Sequence, residues 1–319
     1  MLPKAIHVSG APKLAEGFDR IRGELELPDA FPEPVLEEAR RVAETAASDP
    51  SALPGLTGLP SLPDRTDLPL LTVDPQGSMD LDQALCIEQR ARGYRVWYAI
   101  ADVAAFVRPG GAIDTEARKR GETVYMPDGR VPLHPAVLSE GAASLLPGVV
   151  RPAALWCLDL NSDGVTVGAE FNGEPPRDAG HAAVAAPYAH VTAPLRRLVD
   201  RYAGEVCLAV AEGVPVPEPV QEALAGLPAL MAGGGRRAAA VDRACVDLVE
   251  AFVLRDRVGQ TFGAVVIDTE DGRPGGLVQI AEPAVVARCD GDGLRLGEKT
   301  DVRLTRADLL TREVRFTVA

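Results

Sequence analysis

The sequence predicts an α+β protein in which a mixed sheet with helices is followed by a small C-terminal β-barrel. Residues 94–100 alternate apolar and other side chains with the period of a strand. Two stretches, 195–206 and 241–252, repeat apolar residues at helical spacing. From residue 259 onward, about five short strand-like runs are separated by turn signals. With 319 residues, of which 46% are hydrophobic, the chain is long enough for two or three domains.

The first 64 residues are expected to form a short helical region and a linker. Apolar residues between Glu33 and Ala47 recur at helical spacing, and the Asp49-Pro50 pair is expected to end that helix. The following residues, 51–63, are punctuated by Pro and Gly, as a linker is. We assign this region no function.

Residues 65–257 are expected to form the central domain and residues 258–319 the barrel. From Leu70 onward the pattern becomes strand-like, with a short turn at residues 90–93 between two strands. An OB-fold is the commonest small barrel of five strands, so we expect one at the C-terminus.

Charge and composition exclude several classes of function. A net charge of −13 disfavours a nucleic-acid partner unless bound cations compensate. Five cysteines without CxxC spacing and four histidines predict neither a disulfide framework nor a zinc cluster. The chain lacks the G-x-S-x-G of a serine hydrolase. It also lacks a secretion signal and a long apolar run, so we expect a cytoplasmic protein with no membrane partner.

The acidic segment DPQGSMDLDQ contains the candidate chemistry. Asp74, Asp80 and Asp82 lie within nine residues directly after a strand-like run. Clustered carboxylates repel one another unless a cation is present, and Mg²⁺ prefers such oxygen ligands. A solvated acidic turn is the alternative. An EF-hand is excluded, because Met79 and Leu85 stand where such a loop needs Gly and Glu.

Two long blocks carry a family resemblance. One comprises DPQGSMDLDQAL and residues 98–148, and the other is GHAAVAAPYAHVTAPLRRLVDRY. Together they resemble the ribonuclease II (RNB) family over residues 65–257, and the barrel resembles the OB-type RNA-binding domain that usually follows. The resemblance implies a processive 3′-to-5′ exoribonuclease that uses Mg²⁺, or Mn²⁺ as a substitute, and releases nucleoside 5′-monophosphates from single-stranded RNA.

The same resemblance assigns roles to individual residues. It implies a two-metal site in which one family carboxylate is replaced by an amide, at Asp74, Asp80, Asp82 and Gln83. It implies four catalytic positions, Asp82, Tyr125, Arg196 and Asp242. It implies five RNA-binding positions, Tyr125, Tyr188, His190, Arg196 and Arg197. For Tyr188 and His190, packing in the core is an equally good interpretation. For Arg197, the alternative is a position on a solvent-exposed face.

Arg196 is expected near the start of a helix. Thr192 or Ala193 would cap that helix, and Pro194 suits its first turn. A helix N-terminus favours an anion, and a guanidinium beside it can hold the scissile phosphate.

Several departures from the family pattern favour an alternative function. Gln83 removes one negative charge, and Asp242 is one methylene shorter than the family's glutamate. Family members place on the order of a hundred residues where this chain has only residues 172–187, and no cold-shock domain is evident before Leu70. Residues 231–237 are interpreted as another shortened loop. The alternative is a catalytically weakened or inactive RNA-binding paralogue, and in either case we expect a monomer.

Overall fold

The computed structural model describes six stretches of the chain, residues 12–55, 63–169, 180–181, 186–187, 189–269 and 274–319. The chain divides into two compact units. The first unit comprises residues 30–124 and 131–236, and the second comprises residues 1–29, 125–130 and 237–319. The predicted boundaries at residues 64 and 257 remain predictions.

A four-stranded antiparallel sheet forms the centre of the first unit. Its strands are β1 (Gln83–Arg90), β2 (Gly93–Ala101), β5 (Ala153–Leu160) and β6 (Thr166–Ala169), in the order β1-β2-β5-β6. The alternating run at residues 94–100 lies within β2, so that prediction is confirmed. Gln83 at the start of β1 pairs with Ile100, and this register places the end of the acidic segment at one edge of the sheet.

Two further pairs of short strands complete the strands before the barrel. They are β3 (Val124–Met126) with β4 (Gly129–Val131), and β7 (Gly180–His181) with β8 (Ala186–Pro187).

Seven α-helices occur in the described part of the chain. They are α1 (Pro12–Glu24), α2 (Glu33–Ser48), α3 (Val103–Phe106), α4 (Ala112–Arg120), α5 (Leu198–Glu212), α6 (Glu218–Leu224) and α7 (Leu227–Leu254). The predicted helix from Glu33 to Ala47 is therefore confirmed as α2. Its apolar face, which includes Ala39 and Val42, packs into a core with Phe106 and Leu195. Within the described residues, none of the helices is long and apolar enough to cross a lipid bilayer.

The C-terminal strands close into a barrel. They are β9 (Thr261–Thr269), β10 (Gly276–Ile280), β11 (Val285–Asp290), β12 (Lys299–Asp308) and β13 (Glu313–Val318), in the order β10-β11-β13-β12-β9. Alternate residues of these strands point inward, as burial of Val278 and Ile280 in β10 illustrates, and Phe316 is fully buried in the same core. The predicted α+β class with a five-stranded C-terminal barrel is confirmed.

The segment at residues 231–237 is helical, which corrects the prediction of a shortened loop. Helix α7 continues through all three of its glycines. A Cβ added at Gly234 would lie 3.7 Å from the Cα of Gly121 and 3.5 Å from Oε1 of Glu122. These are ordinary van der Waals distances, and a Cβ added at Gly233 would meet nothing within 4 Å, so packing does not require glycine at these positions.

Candidate active site

Asp82 is the buried end of the acidic segment. It lies immediately before β1, its backbone carbonyl accepts a hydrogen bond from Ala101 at 2.9 Å, and only 2% of the residue is exposed. Its Oδ1 accepts a hydrogen bond from the Leu195 amide at 2.8 Å, and its Oδ2 accepts one from Nε of Arg196 at 2.7 Å. Both carboxylate oxygens thus receive donors from one distant segment.

Arg196 lies in a tight turn that precedes α5. The amides of Arg196 and Arg197 both donate to the carbonyl of Ala193, at 3.0 and 2.9 Å. The Arg196 carbonyl accepts a hydrogen bond from the Thr123 amide at 2.8 Å, so the turn is also held through its backbone. The Arg196 side chain is 40% exposed, whereas that of Asp82 is 2% exposed. The ion pair therefore extends from the interior to the surface.

The start of α5 differs from the prediction. The helix begins at Leu198 with Arg197 at its N-cap, not at Thr192 or Ala193. Asp200 explains the shift, because its carboxylate accepts hydrogen bonds from the Ala193 amide at 2.9 Å and from Nη2 of Arg197 at 2.8 Å. These contacts stabilise a turn ahead of the helix. Arg196 still lies close to the N-terminus of α5.

The charge of Asp82 depends on opposing effects. Burial and, to a smaller extent, the nearby Asp80 raise the pKa of the Asp82 carboxyl, whereas the Leu195 amide and the Arg196 guanidinium lower it, and the resulting pKa is about 6. The carboxylate is therefore ionised only because these two donors compensate for most of the cost of burial.

A second buried network lies at the start of α4, and sequence reasoning missed it. The carboxylate of Asp114 accepts hydrogen bonds from Arg201, from the Tyr202 hydroxyl at 3.1 Å, from the Gly110 amide at 2.9 Å and from Arg118 at 3.2 Å. Burial raises the pKa of Asp114, but Arg201 and the Gly110 amide outweigh it, and the pKa lies below its ordinary value. An acidic residue in the first turn of α4 is the only sequence signal for this network.

His134 is also buried in the first unit. The residue is 2% exposed, and its imidazole donates a hydrogen bond to the Pro194 carbonyl. Its Nδ1 has no hydrogen-bond partner within the described residues, so Nε2 is the donor. Burial, with the positive charges of Arg201 and Arg120, lowers the pKa of His134 to about 3. The imidazole is therefore neutral at neutral pH.

The low pKa of His134 predicts acid sensitivity. In the unfolded chain this histidine has its ordinary pKa of about 6.5. Below that pH the unfolded chain binds a proton at this residue, whereas in the folded protein the buried imidazole stays neutral. Stability is lost as the pH falls below that value, by about 3 kcal/mol between about pH 7 and pH 4. We expect His134→Gln to show a correspondingly shallower loss of unfolding free energy, measured by urea denaturation at both pH values. If both proteins lose the same unfolding free energy between the two pH values, His134 is not a buried neutral histidine.

The carboxylates fit a metal ion in their chemistry but not in their arrangement. Asp74 is exposed and Asp80 is half-buried. Within the described residues, no group of three or more His, Cys, Asp or Glu side chains is placed so that it could hold a metal ion. The amide oxygen of Gln83 accepts a hydrogen bond from the Tyr98 hydroxyl. The predicted ligand set therefore remains a prediction.

The remaining predicted residues have different surroundings. Tyr125, in β3, is 53% exposed, and Asp242 is exposed on α7; both belong to the second compact unit. His190 is exposed, and Arg197 is held by Asp200. Tyr188 lies outside the described residues, as does most of the segment at 172–187. The structure thus brings together Asp82 and Arg196 from the predicted set.

Two family models match parts of the chain. Residues 63–173 match the RNB domain, and residues 260–319 match the RNase II-type exonuclease C-terminal S1 domain. The fold and the site define an α+β protein in which a buried carboxylate is paired with a half-exposed guanidinium, and which has a C-terminal S1-type barrel. More particularly, the chain contains an RNB domain followed by an RNase II-type C-terminal S1 domain, which confirms the resemblance inferred from the sequence.

Two curated relatives show the extent of the sequence similarity. Ribonuclease R of Escherichia coli (strain K12) is 36% identical over 147 residues, which are 46% of this chain and 17% of that protein. The Inactive exonuclease DIS3L2 of Arabidopsis thaliana is 39% identical over 135 residues, which are 38% of this chain and 13% of that protein. The matched segment therefore spans less than a fifth of each relative.

A solved structure shows that the similarity extends to the fold. The apo form of Mycoplasma genitalium RNase R matches with a TM-score of 0.80 and 13% identity, over 96% of this chain and 78% of that one. The same enzyme in complex with ribose methylated single-stranded RNA matches equally well. At this identity, the likeness concerns the fold alone.

Proposed function

We propose that the chain is a 3′-to-5′ exoribonuclease that hydrolyses single-stranded RNA to nucleoside 5′-monophosphates. The observation that supports this proposal is the contact between Asp82 and Arg196. These residues lie 114 positions apart in the sequence, were assigned separately to catalysis, and are joined by a hydrogen bond of 2.7 Å. A solved relative is described in complex with single-stranded RNA, which supports RNA as the substrate class.

Arg196 is proposed to bind the scissile phosphate. Its Nε donates to the buried Asp82, and 40% of the side chain is exposed. A guanidinium can hold a phosphate through two parallel hydrogen bonds and stabilise the charge that develops there. In the hydrolysis, water adds to the phosphorus and the P–O3′ bond breaks. The products are a nucleoside 5′-monophosphate and a shortened RNA with a 3′-hydroxyl.

A requirement for Mg²⁺, with Mn²⁺ as a substitute, is part of this proposal. It is supported by the chemistry of Asp74, Asp80 and Asp82, whose carboxylate oxygens suit hard divalent cations. Two such ions would activate a water molecule and stabilise the leaving oxygen when bound. We also propose that the protein acts as a cytoplasmic monomer.

A non-catalytic RNA-binding function is the second candidate. Gln83 stands at the family's fourth acidic position, and Tyr98 holds its amide oxygen. Within the described residues the carboxylates do not form a metal-binding group, and one relative is named an inactive exonuclease. These observations favour a chain that retains RNA binding without efficient cleavage.

An end-labelled RNA distinguishes the two candidates. The protein is incubated with 5′-labelled single-stranded RNA and Mg²⁺, with EDTA and with an Asp82→Asn variant as controls. A ladder that shortens from the 3′ end only in the presence of metal, and is lost in the variant, supports the exoribonuclease. RNA binding without shortening supports the second candidate and contradicts the first.

Restoring a carboxylate at Gln83 is expected to reduce the Mg²⁺ requirement. In Gln83→Asp the side chain is one methylene shorter, so its contact with the Tyr98 hydroxyl is weakened, but it adds a negative charge beside the acidic segment. Since the gross attraction to a dication at about 4 Å is about 8 kcal/mol at an effective dielectric of about 20, even a small net fraction lowers the half-maximal Mg²⁺ concentration by about tenfold or more. Gln89→Asp, at an exposed position of the same strand, is the matched control. An unchanged Mg²⁺ titration in Gln83→Asp would contradict this expectation.

A further inference from the structure

The peptide group between Pro194 and Leu195 is held at both of its polar ends. On one side its carbonyl oxygen accepts a hydrogen bond from His134. On the other side its N–H donates to Oδ1 of Asp82 at 2.8 Å. His134 and Asp82 thus contact the same peptide plane, and they are linked through it.

Peptide planarity makes this link directional. The carbonyl and the N–H of a trans peptide lie in one plane and point in opposite directions, so fixing one end fixes the direction of the other. A carbonyl that accepts a hydrogen bond also polarises the peptide and strengthens donation by its N–H. His134 therefore controls both the direction and the strength of the hydrogen bond to Asp82.

His134 is itself held rigidly. The Ser139 hydroxyl donates to the His134 carbonyl at 3.3 Å, and the amide of the preceding residue, Leu133, donates to the Thr123 hydroxyl at 3.0 Å. The imidazole is buried and neutral, so its one N–H, at Nε2, donates to the Pro194 carbonyl. Thr123 also donates its backbone amide to the Arg196 carbonyl, so Thr123 contacts both the segment that carries His134 and the turn that carries Arg196.

We propose that His134 is a positioning residue that orients the Leu195 amide, and with it Arg196, toward Asp82. This inference rests on the proposed function, because its consequence is a correctly placed Asp82–Arg196 pair at the RNA phosphate. His134 does not touch the substrate. It acts on the reaction only through the Pro194–Leu195 peptide and the residue that follows.

Two substitutions separate positioning from packing. His134→Gln keeps an N–H donor at a similar reach, whereas His134→Leu fills the space without a donor. We expect His134→Leu to reduce kcat/KM on single-stranded RNA by about 10- to 100-fold, because small misplacements of the groups that hold the phosphate are costly. His134→Gln is expected to retain most of the activity. Equal losses in both variants, with both proteins folded by circular dichroism, would overturn the proposal.

A double-mutant cycle with Arg196→Ala tests the route of the effect. If His134 acts through this turn, His134→Leu reduces the cleavage rate much less in the Arg196→Ala background than in the wild-type background. Full additivity of the two losses would indicate an independent packing effect and would overturn the proposal.

The same cycle is measured on the dissociation constant for RNA in the presence of EDTA. If the wild-type protein cleaves no RNA, the proposed function fails, and the binding cycle alone decides the inference. A loss of affinity in His134→Leu that disappears in the Arg196→Ala background supports positioning. A loss of affinity that persists there, or no loss at all, contradicts it.

Discussion

Replacing Arg196 with alanine is expected to reduce RNA cleavage by about 10²- to 10³-fold, the usual cost of removing one group that stabilises developing charge. The substitution removes the guanidinium that would bind the phosphate. It also leaves the Asp82 carboxylate, which is 2% exposed, with the Leu195 amide at one oxygen and no cation at the other. Cleavage of labelled single-stranded RNA under single-turnover conditions measures the effect on the chemical step.

Two further variants make the Arg196 result specific. Arg196→Lys retains the positive charge but loses the planar, two-pronged donor, so we expect an intermediate loss. Arg41→Ala, at an exposed position of α2, removes the same charge elsewhere and should leave the rate unchanged. A cleavage rate in Arg196→Ala within about twofold of wild type would contradict the role assigned to Arg196.

The largest effect on stability is expected from Asp114→Asn. This change leaves Arg201, whose side chain is 4% exposed, without its buried counter-charge, and it weakens the contact to Tyr202. Breaking a buried ion pair by removing one partner costs about 3–5 kcal/mol. Both tryptophans, Trp97 and Trp156, lie in the same compact unit, so their fluorescence during urea denaturation reports on this unit.

An exposed ion pair provides the matched control for Asp114. Asp67 contacts Arg65 at 3.2 Å, and its side chain is 69% exposed. Because exposed pairs contribute about 0–1 kcal/mol, Asp67→Asn should leave the urea midpoint nearly unchanged. A loss in Asp114→Asn no greater than that in Asp67→Asn would show that the buried network does not stabilise the fold.

The parts of the fold that the sequence predicted are those that local patterns determine. Helix α2, strand β2 and the C-terminal barrel follow from residue spacing over a few turns or strands. In α2 and in the barrel strand β10 the buried residues match that spacing, whereas in β2 the last three residues are all buried. Asp82 could also be predicted as a site residue from a local pattern, because it belongs to a cluster of three carboxylates within nine residues.

The parts that could not be predicted depend on contacts between distant residues. The Asp114–Arg201 contact joins positions 87 apart, and the Asp82–Arg196 contact joins positions 114 apart. No periodicity links such positions, and without the family resemblance Arg196 would be one arginine among 29. The start of α5 was misplaced for a related reason, because Asp200 stabilises a turn where helix capping was expected.

The glycines inside α7 have a consequence for the motions of that helix. Each glycine costs about 1 kcal/mol relative to alanine in a helix interior, and Gly233, Gly234 and Gly235 are consecutive. The middle of this 28-residue helix is therefore its least stable part, in contrast to ordinary helices that fray from their ends. We expect the backbone amides around Gly234 to exchange with deuterated solvent sooner than those of the flanking turns, as mass spectrometry of peptic fragments would show.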